Sequence, residues 1–235
     1  EAKLSDLLRQ LGDAVSGRAR VPVTLDVQGE FPLDPEVQVF FYRIAQEALN
    51  NILKHAGATQ VDMLLHFEQP GAQARRIVTG DRGPGYHTPG VPPSIPLGFI
   101  PQVAHTYAYF DANYGIMNEH QLSIAECTDK AKVHPEPEAQ KRIFYSAELS
   151  RVALERCKTS REAVKLMGQL IEQFGYYGTG ETLAVADPKE AWVMEMCGYD
   201  MNGTDGVWVA QRVPDDGFFV AANQFRIREV RKDAK

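Results

Sequence analysis

Apolar positions fall into helical and alternating patterns that lay out most of the chain's elements. Over 35–56, Ile44, Ala48, Ile52 and Leu53 recur at three- and four-residue steps, while Glu47, Asn51 and His55 fall four apart on another face. This pattern predicts one amphipathic helix. A second helix is expected over about 3–15 and a helix pair within 145–174. Alternating or β-branched runs predict strands at VPVTLDVQG, TQVDMLLHFEQ and ARRIVTGD in the first third. Further strands are expected at HTYAYF, YGIMNEHQLSIAEC, ETLAVAD, EAWVMEMC, GVWVAQRV and GFFVAANQFRI, with GYDMNGTDG turning one hairpin. Residues 89–101, PGVPPSIPLGFIP, hold five prolines and two glycines. Such a stretch excludes helix and central strand, so it reads as a connector between two halves, 1–88 and 102–235.

Composition narrows the classes open to these halves. At 235 residues, 44% hydrophobic and 24% charged, the chain suits one large or two small globular domains and shows neither disorder nor a membrane span. A net charge of -6 with scattered Lys and Arg leaves no footprint for nucleic acid. Three cysteines, Cys127, Cys157 and Cys197, fit neither a disulfide framework nor a paired zinc motif, so a reducing, cytoplasmic setting is expected. No leader or lipidation signal is recognised, and a chain opening on Glu1 reads as a processed or excised piece.

A carboxylate, an amide and an imidazole in line along a helix can hold a magnesium-bound phosphate, although an ordinary solvated helix face presents the same trio. A second feature follows ARRIVTGD, where Asp81, Gly83 and Gly85 form D-x-G-x-G. There bare backbone can approach a ligand and the carboxylate can accept from an amino group; a hairpin turn uses the same letters. Taken together, RIAQEALNNILKHAGA and DRGPG resemble the asparagine box and first glycine box of the ATP-binding catalytic module of a sensor histidine kinase. The resemblance implies an α/β sandwich in which Asn51 holds magnesium and Glu47 orients water or the attacking group. It places Lys54 and His55 near phosphate and Asp81 on the adenine amino group, with Gly83 and Gly85 lining the nucleotide. The family's ATP lid, second glycine box and phospho-accepting histidine helix are not found in residues 1–88, so weak nucleotide binding without phosphotransfer is expected.

Beyond residue 97 the motifs change. IPQVAHTYAYFDANYGIMNEHQLSIAEC, ELSRVALERCKTSREAVKLMGQLIEQFGYYGTGETLAVADPKEAWVMEM and GVWVAQRVPDDGFFVAANQFRI resemble, in order, the dipeptidase family of N-terminal-nucleophile cysteine hydrolases. That resemblance implies a four-layer αββα fold that cleaves dipeptides or short peptides with an N-terminal cysteine whose own α-amine is the base. It implies Asn118, in GIMNE, as an oxyanion-hole donor. Asn223, in AANQFRI, is implied as a second polar contact to substrate. No cysteine stands where that chemistry needs its nucleophile, so this half is expected to lack peptidase activity. The whole reads as an α+β chimera of two incomplete modules.

The remaining candidates have plainer readings. Cys127 in AECTDK fits a core strand, Cys157 a buried helix position with Leu149, Val152 and Ala153, and Cys197 a strand end. His105 and His120 lack a nearby third metal ligand, Asp215 and Asp216 suit a turn, and TYAYFDANY suits a packed strand.

Overall fold

The computed structural model describes residues 3–29, 32–33, 35–67, 74–78, 95–112, 114–199 and 206–230. It divides into two compact units, 1–70 and 71–235. In the first unit, helix α1 (Leu4–Ala19) buries Leu4, Leu8, Leu11 and Val15, a stripe at three- and four-residue steps. Strand β1 (Val23–Gln28) pairs in parallel with β2 (Val61–His66), and α2 (Pro35–Asn51) supplies the crossover that a parallel pair needs. The buried stripe of α2 is Phe41, Ala45 and Leu49. This corrects the expected stripe: Ala48 is exposed, and Ile44, Ile52 and Leu53 are half-buried. The helix also changes pitch, because Ile52–Ala56 form a π-turn that ends on Gly57 in the left-handed region.

The second unit begins before the proline-rich stretch. Strand β3 (Ala74–Val78) pairs antiparallel with β4 (Pro96–Pro101). The expected connector 89–101 therefore contributes its last six residues to a ladder, which is compatible with proline because both strands of a two-stranded sheet are edges. The described part of the strand expected at ARRIVTGD, Ala74–Val78, belongs to this second unit and not to an N-terminal half.

A six-stranded antiparallel sheet follows, in the order β10-β9-β8-β7-β6-β5. Its strands are β5 (Tyr109–Asp111), β6 (Gly115–Asn118), β7 (Ser123–Asp129), β8 (Gly180–Ala186), β9 (Ala191–Cys197) and β10 (Val207–Arg212). YGIMNEHQLSIAEC, expected as one strand, is two, because the chain reverses at Asn118–Gln121, where Gln121 takes φ 62. HTYAYF is strand only at its end, and GFFVAANQFRI pairs with no strand.

Helices α3 (Ser146–Arg156) and α4 (Ser160–Phe174) cover one face, α3 over β5–β7 and α4 over β8–β10. Thr159 and Glu162 form a reciprocal capping box that starts α4 immediately after α3. The core between helices and sheet includes Leu149, Val152, Leu154, Met167 and Ile171 against Ile124, Leu183, Val185, Met194 and Met196. Alternation along the strands sends Ala125, Cys127, Thr182, Ala184, Val193 and Glu195 to the opposite face. The chain from Val213 to Val230 returns across that face without regular structure. The six-stranded sheet thus carries the helix pair on one side and the irregular returning segment on the other, and Ile77, Leu97 and Ile100 of the β3–β4 pair join the core of the helix pair.

Candidate active site

Asn118 is fully buried where β6 ends, and every hydrogen-bonding position of its amide is in use. Its Nδ2 donates to the carbonyls of Leu154 at 2.9 Å and Cys157 at 2.8 Å, and its Oδ1 accepts from the N–H groups of His120 at 3.0 Å and Leu122 at 3.1 Å. The side chain therefore clips the β6–β7 reversal to the C-terminal end of α3. The side-chain N–H expected to serve an oxyanion is engaged here, since both amide hydrogens go to carbonyls at the end of α3.

Asn223 stands in a different environment. It is exposed, adopts φ 52, and seats the C-terminal segment on β7: its backbone N–H reaches Cys127 Sγ at 3.1 Å and its Nδ2 donates to the Thr128 carbonyl at 2.6 Å. Two further anchors hold the segment. The Glu195 carboxylate accepts the N–H groups of Arg226 and Ile227, and the Phe225 ring lies over Gly180, where an added Cβ would sit 2.3 Å from it. The structure thus brings Asn223 and Cys127 together but does not bring Asn118 to them. Leu122, bound to Asn118, and Thr128, bound to Asn223, lie six positions apart along an extended strand, about 20 Å.

The cysteines divide by environment. Burial pushes the Cys157 thiol up to about 12, and Cys197 is also raised by burial. Cys127 is half-buried beneath Asn223. Beside it on the same face, Thr182 donates to Asp129 at 2.5 Å, and both are fully buried.

Sequence reasoning missed a buried ionic network behind α3. Arg75 donates to both oxygens of Glu155 at 2.7–2.9 Å and to Glu148 at 2.7 Å. Arg151 donates to Glu148 at 3.0 Å, to Asp111 at 2.8 Å and to the Ala112 carbonyl at 3.2 Å. Burial opposes the charge of Arg75, and the adjacent Glu155 and Glu148 outweigh it, holding the guanidinium well above its ordinary value. Burial raises the Asp111 carboxyl, with Arg151 opposing the rise. The available signal was spacing: Glu148, Arg151 and Glu155 recur at three- and four-residue steps on one helix face, a pattern that reads as solvated surface until a partner strand covers it.

In the first unit, Glu47 and Asn51 lie one turn apart on the exposed face of α2, and Lys54 and His55 follow, also exposed, in the π-turn. Asp81, Gly83 and Gly85 lie outside the described residues. His105 and His120 both pack edge-on against Tyr107, and no group of three or more metal-ligating side chains occurs among the described residues. Asp215 and Asp216 form a turn, with Asp215 paired to Arg212. Among the described residues no helix is long and apolar enough to cross a membrane.

Known proteins match most of the second unit in sequence. Residues 104–235, more than half of the chain, match Peptidase family C69. A probable dipeptidase of Salmonella dublin is 31% identical over 141 residues, covering 55% of this chain and 31% of that protein. Probable dipeptidase B of Lactococcus lactis subsp. lactis (strain IL1403) is 35% identical over 86 residues, covering 37% and 17%. A dipeptidase of Bifidobacterium longum (strain NCC 2705) is 36% identical over 78 residues, covering 33% and 13%. The chain aligns with about a third or less of the length of each relative. The match begins just ahead of β5 and runs through the whole six-stranded sheet, its helix pair and the returning segment that carries Asn223, and on that span the chain belongs to peptidase family C69.

Proposed function

We propose that residues 104–235 serve a peptide-bond hydrolase acting on dipeptides by cysteine N-terminal-nucleophile chemistry. The observation that carries this reading is the uninterrupted family match from β5 to the Asn223 segment. The reading gives Asn223 the role of polar contact to substrate, because it is exposed beside Cys127, and gives Asn118 the role of holding α3 to the sheet. The chain's own cysteines are poorly placed for the nucleophile. Two are held as neutral thiols by burial, and the third is covered by Asn223. Residues 1–235 alone are therefore expected not to cleave dipeptides. The test is a hybrid in which residues 104–235 replace the matching segment of the Salmonella dublin relative. Release of free amino acids from a dipeptide panel supports the reading, and a folded hybrid with no release overturns it.

A second reading concerns residues 1–70. Glu47 and Asn51, exposed one turn apart on α2, could offer oxygen ligands to a magnesium ion carried by ATP, with Lys54 and His55 beside the phosphates. The described residues fit the metal end of such a ligand only, and its adenine end rests on Asp81. Calorimetric titration of the chain with magnesium-ATP tests this reading. Weak binding abolished by Asn51→Ala supports it, and binding indifferent to both Asn51→Ala and Asp81→Asn overturns it. Absence of both activities would leave a non-catalytic hybrid of two modules.

A further inference from the structure

On the helix-covered face of the sheet, behind Cys127, two glutamates face each other. In the β7–β8 ladder Glu126 is opposite Leu183 and Glu181 is opposite Thr128. The two glutamates are therefore diagonal neighbours on one face, about 7–8 Å apart at the backbone. Glu181 is fully buried. Its Oε1 accepts from the Tyr145 hydroxyl at 2.7 Å, and Glu126 Oε1 accepts from the Thr128 hydroxyl at 3.0 Å. Each carboxyl keeps one buried oxygen, Glu126 Oε2 and Glu181 Oε2, without a hydrogen-bond partner, on adjacent strands of the same face.

We propose that Glu181 keeps its proton and directs it at the unpartnered oxygen of Glu126, and that this proton latches β7 to β8 directly behind the Asn223 contact, so that the seating of the 213–230 segment responds to pH. Two ionised carboxylates cannot face each other in a buried site, whereas one proton between them turns the repulsion into a hydrogen bond. The groups acting on Glu181 are Glu126 and Thr128 from β7 and Tyr145 from the residue before α3. Tyr176, after α4, has a fully buried hydroxyl whose ionisation both carboxylates oppose. None of these four supplies a positive charge. Burial and the Glu126 contact push the Glu181 carboxyl up to about 9.

The coupling to Asn223 follows from strand alternation. Glu126 immediately precedes Cys127 and Thr128, whose Sγ and carbonyl hold Asn223. Losing the proton places two like charges across β7 and β8 and moves the backbone that carries those two acceptors.

The sign is fixed. The folded chain holds a proton that an unfolded glutamate releases near 4.5, so stability declines as pH rises from that value through about 9.

The test uses the whole chain, comparing the native protein with Glu181→Gln, whose amide supplies a donor in place of the proton. Calorimetric Tm of the native protein should fall by about 5 °C or more between pH 5 and pH 9, and the fall should disappear in the variant. The amide resonances of Asn223 should titrate with a midpoint near pH 9 in the native protein and stay constant in Glu181→Gln, which retains Cys127 and so controls for its ionisation. Superimposable Tm profiles, or Asn223 signals that titrate alike in both proteins, overturn the proposal. A flattened Tm profile with Asn223 signals static in both overturns the coupling. Should Glu181→Gln not fold, Glu126→Gln carries the same expectations.

Discussion

The α3 side of the sheet and the returning segment on its other side both spend polar side chains on holding structure together, but under opposite conditions. Behind α3, Asn118, Arg75, Arg151, Glu148 and Glu155 are all buried and closely paired. Across the sheet, Asn223, Arg226 and Arg228 are exposed, and the segment rests on a handful of contacts at Cys127, Thr128, Gly180 and Glu195. A buried polar group is costly to disturb because its partners lose their only alternative to water. An exposed one can be exchanged for water at little cost, and can therefore also be exchanged for a ligand. The two asparagines thus differ in what their amides would give up: Asn118 four buried hydrogen bonds, Asn223 exposed ones.

Removing a charge from the buried network should break the α3 side most severely. Arg75→Ala removes the guanidinium that pairs with Glu155 and leaves Glu148 with Arg151, and should lower the stability of the second unit by about 3–5 kcal/mol. Chemical denaturation followed by circular dichroism measures this, and a loss under about 1 kcal/mol would mean that β3 does not dock as described. Asn118→Ala removes four hydrogen bonds and strands two carbonyls and two N–H groups, with an expected loss of about 3 kcal/mol by the same measurement. Were that variant as stable as the native protein, Asn118 would be free for a different role.

On the other side the effects should be local. Gly180→Ala displaces the Phe225 ring and should unseat the segment, raising the alkylation rate of Cys127 severalfold with a stability loss of about 1 kcal/mol. Asn223→Ala should do the same to Cys127 with less change in stability, since the residue is exposed. In all of these proteins Cys157 should be the last cysteine to react, because burial holds its thiol up to about 12. Peptide mapping after timed alkylation ranks the sites, and early labelling of Cys157 in a folded sample would contradict its burial.

How much of this was legible depends on how far each signal reaches along the chain. The helix pair in 145–174 and the strands at 180–186, 191–197 and 207–212 follow from short-range periodicity, and the structure has them there. The capping residues Thr159 and Glu162 even mark where α4 begins. Signals that depend on distant partners failed. GFFVAANQFRI has the composition of a strand, but its amide groups at Arg226 and Ile227 go to the Glu195 side chain instead of a neighbouring ladder. Asn118 and Asn223 look alike in sequence, and only the burial of the first and the exposure of the second tell a clamp from an accessible amide. The fate of Arg75 was hidden for the same reason: its partners lie some 70–80 residues ahead, on a helix whose polar stripe resembles an ordinary surface.

Strand β4 has a consequence for how copies of the chain meet one another. It begins and ends with Pro96 and Pro101, and between them Phe99 presents an exposed ring. A short, apolar strand in a two-stranded sheet is a place for strand addition, and here the Leu97 carbonyl already accepts from the Gln140 N–H and the Pro101 carbonyl from Arg156. Proline has no N–H to offer, so an incoming strand finds no donor at either end of β4 and can form only a truncated ladder. The same prolines that mark this stretch as irregular in sequence therefore withhold two donors from any strand that would add to it.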